Sequence, residues 1–190
     1  MELTLDLSPV VQLTDDELFA LCAANPLMHI ERESNGNLVI MAPAGGATSS
    51  RNLNILLELG NWNRLHNGGV VTGPDGGFRL PSGAMRAPDA AWTGRLRWEA
   101  LSDDDREKFP PLCPDFVVEL RSRSDRRGML DAKMKEWMAN GCRLAWLIDP
   151  FENEVVVYCA DGSSERLGFD VTLNGEDVLP GFELDVRMLR

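Results

Sequence analysis

The sequence is short of histidine, of paired cysteine and of positive charge, and each shortage removes a class of function. Two histidines, His29 and His66, and four scattered cysteines, Cys22, Cys113, Cys142 and Cys159, with no Cys-x-x-Cys spacing, leave no ligand set for zinc. The same spacing predicts four unpaired thiols, and with them a reducing, cytoplasmic location. No apolar run of about eighteen residues occurs, so no transmembrane helix and no membrane partner are expected. The opening stretch, "MELTLDLSPVVQLTDDELF", has neither the basic start nor the apolar centre of a secretory signal. No Gly-x-x-x-x-Gly-Lys loop is present, which argues against a P-loop NTPase. Nineteen Lys and Arg face thirty Asp and Glu, a net charge of −11. Such a chain is repelled by polyanions at long range, so any contact with nucleic acid needs a local basic surface. The best candidate is the cluster Arg121, Arg123, Arg126 and Arg127.

The rest of the chain reads as structure. With 190 residues, 44% of them hydrophobic, a single domain over 1–190 has enough material for its own core. Thr14 with Glu17 three residues on is a capping box that starts a helix. "HIERESNGNLVIMAP" is a β-hairpin turning at Asn35-Gly36. "ATSSRNLNILLELGNWNRLHNGG" is an amphipathic helix with Leu53, Leu56, Leu57 and Leu59 at roughly helical spacing. Short strands follow in "VVTG", "GFRL" and "RAPDAAWT". Ser102 caps a short helix whose first turn holds Asp103, Asp104 and Asp105. "DFVVEL" is a strand, roughly 126–140 a helix ended by Asn140-Gly141, and "CRLAWLID" and "EVVVYCA" two more strands. The mixture predicts an α/β (α+β) fold, a mixed sheet flanked by helices.

One strand carries the chemistry. Along "PDFVVELRSRSD", Asp115, Val117, Glu119 and Arg121 share one face, and Phe116, Val118 and Leu120 the other. A carboxylate in mid-strand costs several kcal/mol unless it is paired or bound to a cation. Glu119 therefore pairs with Arg121 or a neighbouring arginine, or it is a ligand for a divalent cation. Asp89, in the strand-like "MRAPDAAW", could complete a hard-oxygen site for magnesium from an adjacent strand. Asp115 could support the same pocket. In the following helix Leu130, Met134 and Trp137 form the inward stripe, and Lys133 lies at its edge. That lysine reaches either the carboxylates or solvent. At the stripe's edge it contributes mainly stem packing, so its removal is expected to leave folding nearly intact. Trp137 and Trp146 are expected in the core rather than as base-stacking platforms.

Asp89, Glu119 and a nearby lysine are similar to the PD-(D/E)XK nuclease signature. Four segments, "GFRLPSGAMRAPDAAW", "FPPLCPDFVVELRSRSD", "KMKEWMANGCRLAWLIDP" and "GEDVLPGFELD", resemble the Uma-type family of putative restriction endonucleases, over nearly the whole chain. The resemblance implies a restriction-endonuclease-like core, a four-stranded mixed sheet with flanking helices. It implies that Asp89 and Glu119 bind Mg2+, or Mn2+ in its place, with the Leu120 carbonyl as a further ligand. The lysine of Glu-x-Lys would fall at position 121, where Arg121 stands. Arginine stays protonated and cannot act as a base, so the lysine role passes to Lys133. Many relatives carry a glutamate where this chain has Ala47, and Glu58 is a candidate substitute. Arg121 and Arg123 would bind phosphate. The implied activity is Mg2+-dependent endonucleolytic hydrolysis of DNA, with a homodimer as one open assembly. The alternatives are a degenerate nuclease fold used as an interaction or regulatory module, and a small-nucleotide phosphohydrolase.

Overall fold

The apolar run around Glu119 becomes the middle of a six-stranded sheet. The computed structural model describes residues 2–190. Its elements are β1 (Glu2–Leu5), α1 (Asp15–Ala24), β2 (His29–Arg32), β3 (Leu38–Met41) and α2 (Gly46–His66). Then come β4 (Gly69–Thr72), β5 (Phe78–Arg79), β6 (Met85–Arg86), β7 (Ala90–Gly94), α3 (Arg95–Glu99) and α4 (Asp103–Glu107). They are followed by β8 (Phe116–Leu120), α5 (Arg127–Ala139), β9 (Leu144–Asp149), β10 (Glu154–Cys159) and β11 (Ser164–Gly168). A hairpin of β12 (Thr172–Asn174) and β13 (Glu183–Asp185) leads into a 3-10 turn at Val186–Leu189.

The large sheet has the order β11-β10-β9-β8-β7-β4. Only β8 and β9 run parallel, and α5 is the crossover that joins them. The expected four-stranded mixed core is β4-β7-β8-β9; β10 and β11 extend it antiparallel at one edge. All five residues of β8 are buried, so this strand has no solvated face. Phe116, Val118 and Leu120 meet Ile55, Leu59 and Trp62 of α2 on one side. On the other side Val117 packs with Met134 and Trp137 of α5. Trp137 and Trp146 are both fully buried, as expected for core residues. Trp146 meets Phe116 edge-on at 4.8 Å and stacks on Phe182 at 5.7 Å.

The N-terminal hairpin is larger than its sequence signal. Strands β2 and β3 pair across the turn, where Gly36 takes φ +93°. The strands β1, β6 and β5 then join them in a second sheet of order β1-β3-β2-β6-β5. Helix α1 covers it, with Leu18 against Ile30, Leu38 and Met85. The Thr14–Glu17 capping box and the Ser102 cap form as expected. All four cysteines are free thiols.

The buried face of α2 differs from the expected one. It is Asn52, Ile55, Leu59 and Trp62, while Leu53 and Leu57 are 56% and 46% exposed. The spacing 52, 55, 59, 62 is the one that keeps to a single side of a 3.6-residue helix and meets the sheet. Leu59→Ala should therefore cost about 2–5 kcal/mol, and Leu57→Ser within about 0.5 kcal/mol of nothing. Urea unfolding of the two variants checks the assignment, and equal losses would contradict it.

Candidate active site

A cleft of about 1170 Å3 opens between the two sheets. Its floor is where β8 ends. Strand β7 pairs with β8 only as far as Ala90 opposite Val118. The N–H of Leu120 lies beyond that pairing, and a buried orphan donor would be costly. Asp89, in the loop just before β7, accepts this N–H on Oδ2 at 2.8 Å. Its other oxygen accepts the side-chain amide of Asn52, from α2, at 3.0 Å. Asp89 is therefore a loop residue held between two elements, not a strand residue.

Glu119 is 3% exposed and faces α5. Its Oε1 accepts from Trp137 Nε1 at 2.9 Å, and Lys133 Nζ lies 2.9 Å from the same oxygen. The partner that satisfies this mid-strand carboxylate is therefore Lys133 with Trp137, not an arginine. Lys133 does not reach out to solvent. Its ammonium also binds Glu31 Oε1 at 2.9 Å and points toward the Ala87 carbonyl at 3.4 Å. Glu31, on β2, is 2% exposed. It accepts in addition the Ala87 N–H at 2.9 Å and Arg86 Nη1 at 3.0 Å. Arg86 in turn binds Glu136 of α5 at 2.6 Å. Glu31, Glu119, Asp89 and Lys133 thus form one buried polar cluster.

Burial and charge set the protonation of this cluster. Burial pushes Asp89 up to about 6, against the pull of the Leu120 N–H and Lys133. Burial pushes Glu119 up to about 7; Lys133 opposes this, while the Asp89 and Glu31 charges add to it. For Lys133 burial favours the neutral amine, but Glu119 and Glu31 outweigh it and hold the ammonium well above the ordinary lysine range. Burial likewise opposes ionisation of Glu31, and Lys133 and Arg86 overcome it, so Glu31 lies below its ordinary value. A permanently protonated lysine suits charge neutralisation and orientation. It does not suit proton abstraction.

Arg121 is placed differently from Arg123. Its Nη1 donates to Asp149 Oδ2 at 2.7 Å, and Asp149 is fully buried at the end of β9. Arg127 binds the same oxygen at 3.1 Å. Arg121 is therefore spent on a structural ion pair, which its place one residue beyond β8 imposes. Arg123 is exposed, its guanidinium 5.3 Å from the Phe151 ring, and it lines the cleft mouth with Arg126. Two other expectations also move. Asp115 sits at the far end of β8, where it accepts the Gly94 N–H at 2.8 Å and Arg97 at 2.7 Å, so it braces the β7–α3 turn rather than the cleft. Ala47 lines the cleft but Glu58 is not among the lining residues; from α2 it is Asn52 that reaches Asp89.

The ligand chemistry fits a hard divalent cation. Asp89, Glu119 and the end of β8 offer oxygen, with no sulfur or imidazole. Among the described residues no group of three or more His, Cys, Asp or Glu side chains gathers in a metal-holding arrangement. A further buried oxygen, Asn52 Oδ1, has no hydrogen-bond partner.

The model of the Uma2 family, described as "Putative restriction endonuclease", matches residues 15–187. The chain belongs to this family. Among solved structures it is similar to a putative nuclease belonging to DUF820 from Anabaena variabilis, with a TM-score of 0.76 and 16% identity. That likeness covers 93% of this chain and 97% of the other, and it shows a shared restriction-endonuclease-like fold. No curated protein matches the chain. Among the described residues no helix is long and apolar enough to cross a membrane.

Sequence reasoning missed Glu31, Arg86 and Asn52. Glu31 had a signal: it is a carboxylate inside a strand, the criterion that singled out Glu119. Asn52 gives none, because an asparagine on a helix is ordinary.

Two predictions follow from this packing. Lys133→Met keeps the stem but leaves Glu31 and Glu119 without their shared cation. Removing one partner from such a buried arrangement costs about 3 kcal/mol or more, contrary to the near-intact folding expected for a stripe-edge lysine. Guanidinium unfolding at pH 7 measures it; a loss under about 1 kcal/mol would mean that Lys133 is not held as described. The second concerns Asp149, whose carboxyl lies below its ordinary value because Arg121 and backbone N–H groups outweigh burial. A depressed folded-state pKa gives stability that is present above the unfolded value, about 3.9, and is lost as pH falls through the folded one. Asp149→Asn should be less stable than the parent by about 3 kcal/mol at pH 7. The gap should narrow below about pH 4, read from thermal midpoints across pH.

Proposed function

We propose that this protein is a divalent-cation-dependent endonuclease that hydrolyses DNA phosphodiester bonds at the Asp89–Glu119–Lys133 cluster. One observation carries the reading. At the end of β8 a protonated lysine touches Glu119, while a second carboxylate sits on the next backbone N–H. Membership of a family described as restriction endonucleases supports DNA as the substrate.

Asp89 and Glu119, with the Leu120 carbonyl beside them, would hold Mg2+ or Mn2+. Such a cation, when bound, polarises the phosphate and lowers the pKa of a coordinated water. Lys133, fixed by Glu31 and Glu119, would place its positive charge near the charge that develops on the phosphate oxygens. Trp137 keeps Glu119 in one rotamer through its N–H. Arg123 and Arg126 contact flanking phosphates at the rim and supply the local positive charge that the acidic chain otherwise lacks.

One observation favours a second reading. Lys133 touches both oxygens of Glu119, at 2.9 and 3.2 Å, and Trp137 adds a third contact. A cluster satisfied this way would suit a degenerate fold used as an interaction module, and Ala47 fits that reading too.

Supercoiled-plasmid nicking separates the two. With Mg2+ or Mn2+ the parent should nick. Asp89→Asn and Glu119→Gln should abolish both nicking and cation binding measured by calorimetry. Arg123→Ala should weaken DNA binding across sequences and reduce the slope of log affinity against log salt by about 1. A parent protein that binds neither cation and nicks nothing is the interaction module.

A further inference from the structure

The cleft contains a buried acceptor that the cluster does not use. Asn52 is 9% exposed and lines the cleft from α2. Its amide nitrogen donates to Asp89 Oδ1 at 3.0 Å. An ionised carboxylate accepts and does not donate, so in that state the amide nitrogen faces it. The carbonyl oxygen then points elsewhere. It is buried, and no donor reaches it. Native structures seldom leave such a group unpaired, and an unsatisfied buried acceptor costs about 1–3 kcal/mol.

We propose that Asn52 Oδ1 is a protein ligand of the divalent cation held by Asp89 and Glu119, the oxygen that α2 supplies in a chain whose cleft-lining residue 47 is alanine. The inference rests on the cation reading of the cleft and extends it by one named ligand.

Three features support the assignment. Side-chain amide oxygens are ordinary ligands of hard divalent cations, beside carboxylates and backbone carbonyls. Asn52 bonds the carboxylate that is itself a proposed ligand, so its amide group adjoins that carboxylate. Asp89, Glu119 and the Leu120 carbonyl would leave the cation room for a further oxygen ligand. A neutral further ligand also adds no negative charge to a cluster that already holds Glu31, Glu119 and Asp89. Ala47 and Asn52 both belong to α2 and both line the cleft.

The rival explanation is that Asn52 only positions Asp89 through its N–H, its oxygen being met by water. Two variants test the inference, both read by binding rather than by activity, and the second separates it from the rival. Asn52→Leu removes both amide atoms, and on either explanation calorimetric affinity for Mn2+ should fall by about tenfold or more. Asn52→Cys places a thiolate at the ligand position. Soft sulfur takes soft cations, so titration with Cd2+ should give near-ultraviolet cadmium–thiolate absorbance above that of the parent with its four native cysteines. Affinity retained within about twofold in Asn52→Leu overturns the inference. So does the absence of added absorbance in Asn52→Cys, which would leave Asn52 a positioning residue; this arm decides alone if Asn52→Leu does not fold. A parent that binds neither Mg2+ nor Mn2+ overturns the cation reading and this inference together. A parent that binds normally while the variants behave like it overturns only the role of Asn52.

Discussion

The ammonium of Lys133 lies between two buried carboxylates, and much of the molecule is arranged so that it can. Glu119 belongs to the centre of the large sheet, Glu31 to the N-terminal sheet, and Lys133 to the crossover helix. Burying any one of these charges alone would cost several kcal/mol. Together, with Arg86, Trp137 and the Ala87 N–H, they satisfy one another. The two sheets are thus joined at the cleft by a polar contact whose failure is expensive, and not by apolar packing alone. That gives the N-terminal sheet a part in the site that its sequence, a plain hairpin, does not suggest.

The rest of the cleft is built from what the sheet leaves unfinished. Strand β7 starts two residues short of the end of β8, and Asp89 takes the N–H that β7 does not. The parallel step from β8 to β9 places the N-terminus of α5 and the loop 121–126 at the same edge. Arg121 is drawn inward to Asp149, and Arg123 and Arg126 are left at the rim. A short segment of four arginines is therefore divided by geometry into two structural and two exposed charges, since Arg127 also binds Asp149.

Much of this was legible from residue order, and the parts that were not have physical causes. The fold class, the α5 crossover, the buried tryptophans and the opposed faces of β8 follow from periodicity, which local spacing encodes. The faces of α2 were misread because four leucines were counted without the Asn52, Ile55 and Trp62 that share the true stripe. Arg121 was assigned to phosphate because alternation fixes a side chain's direction but not its partner; Asp149 lies twenty-eight residues on. Asp115 and Glu119 are four residues apart on one line of side chains, yet Asp115 braces the β7–α3 turn and Glu119 meets Lys133 and Trp137 of α5. Glu31 is a hundred residues from Lys133, and only the packing of one sheet on another brings them together. Pairing across that separation is tertiary information, and a single sequence does not carry it in any local pattern.

The charge of the cluster bears on what the cleft can accept. Glu31, Glu119 and Glu136 pair with Lys133 and Arg86, and Asp89 lies nearby on the Leu120 N–H, so full ionisation would leave more negative than positive charge in the cluster. The protein can relieve this by binding protons, which is what the positions of Asp89 near 6 and Glu119 near 7 express. Under the proposed function a cation of charge two would instead leave both carboxylates ionised, and it would compete with protons for these oxygens. Lys133 does not enter that competition, because Glu119 and Glu31 together hold it charged. A lysine made constant in this way provides a fixed positive charge beside the place where a phosphate would lie.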